Sequence, residues 1–191
     1  MQATGAIFQT TTDSELILHL IARSPEQRIA DRIMEALRQI EGAYSLVLAT
    51  ETRLMAARDP HGFRPLCLGQ LGDSWVIASE SCALDIISAR YIRDIEPGEL
   101  LIIDANGLRT YTFAEVERKA FCIFEYIYFS RPDSLIFGDN VDKTRRRLGK
   151  QLAIEHPVDA DIVISVPDSS NTAAMGYATE AGIKLEIGLI R

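Results

Sequence analysis

The sequence is short of the features that mark several common protein classes. It has three cysteines in 191 residues, at positions 67, 82 and 122. They form no C-x-x-C pair and no cysteine–histidine spacing of a zinc site. So odd and scattered a set excludes a disulfide framework and fits a reducing, cytoplasmic compartment. Basic residues are in the minority, 20 Lys and Arg against 27 Asp and Glu, for a net charge of −7. That balance argues against a general nucleic-acid binder. No apolar run reaches the roughly 18 residues that a membrane span needs. The first residues, Met1 to Gly5, have neither the basic end nor the apolar stretch of a signal peptide. What remains is an ordinary globular composition, 47% hydrophobic and 25% charged, without repeats or low-complexity segments. The length suits one medium domain, or one domain and part of another. The chain ends straight out of a strand-like run at Gly188 to Arg191, which suggests a fragment.

The hydrophobic period changes along the chain. Thr12 and Glu15 have the spacing of a capping box, followed by Leu16, Ile17, Leu20 and Ile21 on one helix face. Ser24-Pro25-Glu26-Gln27 reads as a second helix start. Ile29, Ile33, Leu37 and Ile40 form its stripe, and Gly42 its stop. From Tyr44 to Phe113 the pattern is one of short antiparallel strands. Hairpins are expected across Glu51-Thr52, Gly72-Asp73-Ser74 and Asn106-Gly107, and a short helix over Ser81 to Ile87. An apolar, aromatic stretch over Ala120 to Phe129 is broken by Ser130-Arg131-Pro132-Asp133-Ser134. Val141 to Glu155 then reads as a basic helix. Ile162 to Val166 reads as a fully buried strand, Thr172 to Ala181 as a helix ended by Gly182, and Leu185 to Ile190 as a strand. That last unit begins a parallel α/β domain, with the boundary near residues 130–140.

Few residues point to chemistry by themselves. The loop Pro167-Asp168-Ser169-Ser170-Asn171 lies at the carboxyl end of a strand and the amino end of a helix. Open α/β sheets bind ligands there, and helix amides suit phosphate. A carboxylate or hydroxyl beside a phosphate can also hold hydrated magnesium. A plain Asp/Ser cap is the competing explanation. Asp13 is either a cap or a carboxylate aimed at the α-ammonium group of an amino acid. His19, His61 and His156 complete no metal triad and no catalytic triad. Cys122, in the aromatic run, reads as a buried inert thiol. Lys143, Arg145, Arg146, Arg147 and Lys150 read as a solvated helix face, with phosphate contact as the alternative.

Longer tracts carry a resemblance. Phe124 to Ser134, followed by Asp161 to Ser170, closely resembles the amidophosphoribosyltransferases. Phe8 to Glu15 and Ala57 to Leu66 resemble that family's glutaminase domain, in the family's order and spacing. The resemblance implies a partial α+β N-terminal-nucleophile hydrolase sandwich of the class II glutaminase type, over residues 1–130. It implies a linker and the first βαβ unit of an α/β type I phosphoribosyltransferase domain over residues 131–191. The implied reaction moves ammonia from glutamine to phosphoribosyl pyrophosphate (PRPP), giving 5-phosphoribosylamine, glutamate and pyrophosphate at the first step of de novo purine synthesis.

By the same resemblance, Asp13 corresponds to the aspartate that binds the glutamine α-amino group. Asp168, Ser169, Ser170 and Asn171 correspond to the loop that receives the pyrophosphate of PRPP, with Ser169 at a magnesium ligand position. Cys122 corresponds to the first of four cysteines holding a four-iron, four-sulfur cluster in one branch. The implied cofactors are Mg2+ and, in the parent, that cluster; the implied partners are glutamine, PRPP and further copies of the parent chain. The nucleophilic cysteine, its oxyanion-hole pair and the acidic-pair PRPP loop are expected outside this segment. The segment alone is therefore expected to be inactive and of low stability, with central strands left as edges. Two other readings are another class II glutamine amidotransferase and a non-catalytic regulator that senses PRPP.

Overall fold

The computed structural model describes residues 7–115 and 118–190. Met1 to Gly5, read above for targeting character, and Arg191 lie outside them. The chain divides into two compact units, Met1–Phe63 with Ile95–Ala120, and Arg64–Asp94 with Phe121–Arg191.

The first unit pairs two helices, α1 (Glu15–Arg23) and α2 (Ile29–Leu37), with a four-stranded antiparallel sheet. Its strands are β1 (Ser45–Ala49), β2 (Leu54–Arg58), β6 (Glu99–Asp104) and β7 (Gly107–Thr112), in the order β1-β2-β6-β7. Alternation along β2 and β6 turns Met55, Ala57, Leu100 and Ile102 to one face, where they join Ile17, Ile33 and Leu37 of the helices in one core. Ile29, Ile33 and Leu37 of the expected stripe lie on the inner face of α2, but the helix ends at Leu37, before Ile40 and the expected stop at Gly42. Its start is different: α2 begins at Ile29, and Ser24 instead closes α1. The Ser24 hydroxyl donates to the Glu35 carboxylate and accepts from Glu26 N, so it is spent before it can cap α2.

Three expected hairpins form, β1–β2, β6–β7 and that of β3 (Cys67–Leu71) with β4 (Ser74–Ala78). In β6–β7 the last pair is Asp104↔Gly107, so the loop residues are Ala105 and Asn106. Gly107 has φ +99° and Asn106 is not left-handed, which rules out a type I′ turn on Asn106-Gly107. Between β2 and β6 the first unit also holds a buried polar knot. Arg58 donates to Ile95 O (2.7 Å) and Gly62 O (2.8 Å), and Asp59 accepts from His61 N (2.9 Å) and Phe63 N (3.1 Å).

In the second unit β4, β3 and β5 (Arg90–Asp94) form a three-stranded sheet covered by α3 (Ser81–Ile86), with Cys67, Leu84 and Ala89 at its core. The aromatic stretch contains a π-helical turn, Glu125–Phe129, followed by the two-residue strands β8 (Leu135–Ile136) and β9 (Asp139–Asn140). Their turn residues, Phe137 (φ +49°) and Gly138 (φ +87°), are both left-handed. Next comes α4 (Val141–Glu155), with the bounds read from the sequence. Then β10 (Ile162–Ile164), α5 (Asn171–Ala181) and β11 (Lys184–Glu186) make the expected βαβ unit, its strands parallel. Gly182, at φ +68°, ends α5 as expected.

The burial of β10 differs from expectation. Ile162 is 51% exposed, Ile164 46% and Val166, beyond the strand end, 70%. Among the described residues β10 pairs with β11 alone, and a two-stranded sheet leaves apolar surface open. Helices α4 and α5 cross closely at two glycines: a Cβ on Gly149 would stand 1.9 Å from Ala173 O, and one on Gly176 2.2 Å from Arg146 O.

Candidate functional sites

The first candidate site is the entry to α1. The capping box expected from Thr12 and Glu15 does not form. Ser14 occupies the N-cap position without a side-chain cap bond. Glu15 reaches past Thr12 and accepts from Gln9 N (2.7 Å), Thr10 N (2.8 Å) and Thr10 Oγ1 (2.6 Å). Those bonds, the Thr10 hydroxyl first, pull its pKa down to about 2. Asp13 is not a side-chain cap either. Its carbonyl accepts from Leu16 N (3.1 Å), while its exposed carboxylate has no hydrogen bond among the described residues. The carboxylate is thus placed to meet a cation from solvent.

The second candidate site is the entry to α5, where Ser169 and its neighbours sit. The Pro167–Asp168 peptide is cis. Asp168 is exposed, and its carbonyl accepts from Asn171 N (3.2 Å). The Ser170 hydroxyl donates to Val166 O, and Asn171 Oδ1 accepts from Ser165 Oγ (2.7 Å). So Ser170 and Asn171 use their side chains to shape the loop, and Ser169 keeps a hydroxyl without a hydrogen bond among the described residues. Two cavities meet at the loop. One of about 280 Å3 is lined by Tyr128 to Pro132, Arg145 and Pro167 to Ser169. The other, of about 430 Å3, is lined by Ser165, Asp168, Asn171, Met175 and residues around β11.

Arg145 departs from the solvated-face reading of α4. It is 2% exposed and donates to Tyr126 O (2.5 Å) and Ser130 O (2.8 Å); burial lowers its pKa. Val141, Arg145, Gly149 and Ala153 recur every four residues on the buried face of α4, a spacing visible in the sequence. Arg146 and Arg147 keep the expected exposed character, paired with Asp142 (2.7 Å) and Asp139 (3.1 Å).

Glu125, 4% exposed, anchors the π-helical turn from within. It accepts from Arg64 Nη1 (2.7 Å) and Ser130 Oγ (2.6 Å), and Arg64 lies over the Phe129 ring at 4.3 Å. Cys122 is half-buried, with Arg64 Nη1 3.9 Å from its sulfur. Among the described residues no three His, Cys, Asp or Glu side chains cluster as a metal site. His61 Nδ1 contacts Arg118 O (3.1 Å), His19 stands 3.6 Å from Glu15, and the His156 carbonyl accepts from Tyr177 Oη (2.8 Å). These are structural contacts.

Comparison with known proteins agrees with the tracts quoted above. The glutamine amidotransferase domain family matches residues 1–85. The chain is 49% identical over 187 residues to the amidophosphoribosyltransferase of Bacillus subtilis, covering 98% of this chain and 39% of that protein. It is 49% identical over 194 residues to the Rhizobium etli enzyme of the same name, covering 99% of this chain and 39% of that one. Among solved structures, glutamine PRPP amidotransferase from B. subtilis, complexed with ADP and GMP, matches with a TM-score of 0.97 at 48% identity. That match covers 100% of this chain and 42% of the other. The chain thus spans about two fifths of the length of the relatives it matches.

Proposed function

We propose that this relative of the amidophosphoribosyltransferases is a section of an enzyme that moves ammonia from glutamine to PRPP. The products are 5-phosphoribosylamine, glutamate and pyrophosphate. The observation that carries the reading is near-50% identity over the whole chain to enzymes of that name. In this reading residues 1–130 belong to the glutaminase side, and residues 131–191 are the linker and the start of the phosphoribosyltransferase side.

Asp13 is the carboxylate that takes the glutamine α-ammonium group. Its lack of a partner among the described residues supports this, since a cap would have spent it. Asp168, Ser169, Ser170 and Asn171 receive the pyrophosphate group. Ser170 and Asn171 hold the loop in shape, while the amino end of α5 faces the anion. A hydrated Mg2+ riding on pyrophosphate takes only one or two protein oxygens, and the Ser169 hydroxyl fits that demand. The ion would neutralise phosphate charge. For an iron–sulfur cluster Cys122 would supply one thiol, with no group of three metal ligands gathered around it among the described residues. Its other ligands would have to come from elsewhere in the enzyme.

Taken alone, the chain is proposed to hydrolyse no glutamine. Cys67 and Cys82 are buried, and burial pushes the Cys67 thiol up to about 12, far from a nucleophilic thiolate. The test is a chimera in which this chain replaces the matching section of the B. subtilis enzyme. Growth of a purine-requiring host on the chimera is the expected result. A folded chimera that makes no phosphoribosylamine would overturn the reading.

A further inference from the structure

Glu15 occupies the first turn of α1, where an acidic side chain ordinarily bonds its own helix end. Here both carboxylate oxygens serve the preceding loop instead. Oε1 takes Gln9 N, and Oε2 takes Thr10 N and Thr10 Oγ1, all within 2.8 Å. Thr10 Oγ1 in turn accepts from Thr12 N (3.2 Å). Behind this arrangement His19 stands 3.6 Å from Oε1, and the Phe8 ring packs on the His19 ring at 4.6 Å. The strand of chain before Asp13 is therefore tied back onto α1. The carbonyl of Asp13 itself is held by Leu16 N. Its backbone is fixed on both sides, and its carboxylate is left to solvent.

We infer that Glu15 is a positioning residue for the amino-acid site, fixing the Gln9–Thr12 loop so that the Asp13 carboxylate is already aimed when the α-ammonium group arrives. The inference rests on the role given to Asp13 above. Hydrogen bonds from backbone N–H to a carboxylate are charge-assisted and strong. A loop held beforehand spares the ligand the ordering cost that otherwise reduces affinity. Glu15 touches no substrate, so its effect must pass through Asp13.

The experiment is a binding titration with L-glutamine of the chimera described above, its upstream nucleophilic cysteine changed to alanine so that glutamine is not consumed. A parallel titration uses 4-carbamoylbutanoate, which is glutamine without its α-amino group. That chimera, Glu15→Gln, Asp13→Asn and the double variant are compared. The chimera without either substitution is expected to prefer L-glutamine, and Glu15→Gln to weaken its binding by about tenfold, the size of one lost positioning contact. The double variant is expected to bind no more weakly than Asp13→Asn, because both changes act on one contact. Additive losses, or unchanged binding in Glu15→Gln, would overturn the inference while leaving the Asp13 assignment intact. A chimera without either substitution that treats the two ligands alike overturns the Asp13 assignment and the inference with it. Should Glu15→Gln not fold, Thr10→Val carries the same test, since it removes one of the three bonds and keeps the charge.

Discussion

The two loops that enter α1 and α5 look alike in sequence, each an Asp/Ser-rich step into a helix. Neither Ser14 nor Ser170, at the two N-cap positions, makes a side-chain cap bond. They differ in where the polar side chains go. Before α1, a carboxylate inside the helix, Glu15, ties down the loop, and Asp13 is spared. Before α5, the loop ties itself down through Ser170 to Val166 and Ser165 to Asn171. The first arrangement leaves one negative charge exposed and suits a cationic group. The second leaves helix amides and the Ser169 hydroxyl beside the exposed Asp168 carboxylate and suits an anion that carries a metal ion. Composition alone does not separate the two, because both segments contain Asp and Ser. The direction of the hydrogen bonds does.

Three perturbations sharpen that contrast, in order of expected size. Gly149→Ala places a Cβ 1.9 Å from Ala173 O, at the α4–α5 crossing that carries the second loop. It should cost about 3 kcal/mol, the upper end for overpacking, read by urea denaturation. A loss below about 1 kcal/mol would mean that the crossing yields easily. Ser165→Ala removes the donor to Asn171 Oδ1 and should cost about 1 kcal/mol. Faster hydrogen exchange over residues 167–171 should accompany it; unchanged exchange would show that the loop does not depend on this bond. The smallest effect concerns acid. Glu15 is held near pKa 2 in the folded chain against about 4.5 ordinarily. A depressed carboxylate contributes stability that is fully present above 4.5 and is lost as pH falls toward 2. Glu15→Gln should therefore flatten the acid limb of a stability–pH curve in that window. The group is partly covered but stands at the protein surface, where solvent and salt screen it, so the change should be small. An identical curve for the variant would contradict the bonding described.

Regular elements were legible where the period was clean. The strands of the four- and three-stranded antiparallel sheets, the bounds of α4 and the parallel βαβ unit follow from alternation, β-branched runs and turn residues. Other features had no such signal. The π-helical turn lies in an aromatic run without period, and its anchor, Glu125 on Arg64, joins residues 61 positions apart. The β8–β9 turn puts Phe137 at φ +49°, a conformation that its side chain disfavours and no turn rule points to. Ser24 and Glu15 had the right spacings for caps, but other partners, Glu35 on α2 and Gln9 and Thr10 in the preceding loop, competed for them. Of the candidate site, Asp13 and the 168–171 loop were readable as positions. That Asp13 is spared and Ser170 is spent depends on hydrogen bonds that spacing does not specify.

The central claim is that Asp13 serves glutamine and the 168–171 loop serves PRPP. The most direct measurement is phosphoribosylamine formation by the B. subtilis chimera, with glutamine or ammonium chloride as the nitrogen source. Asp13→Asn should abolish the glutamine-dependent rate and leave the ammonia-dependent rate, whereas Ser169→Ala should lower both. A Ser169→Ala chimera that keeps both rates, or an Asp13→Asn chimera that loses both, would contradict the account.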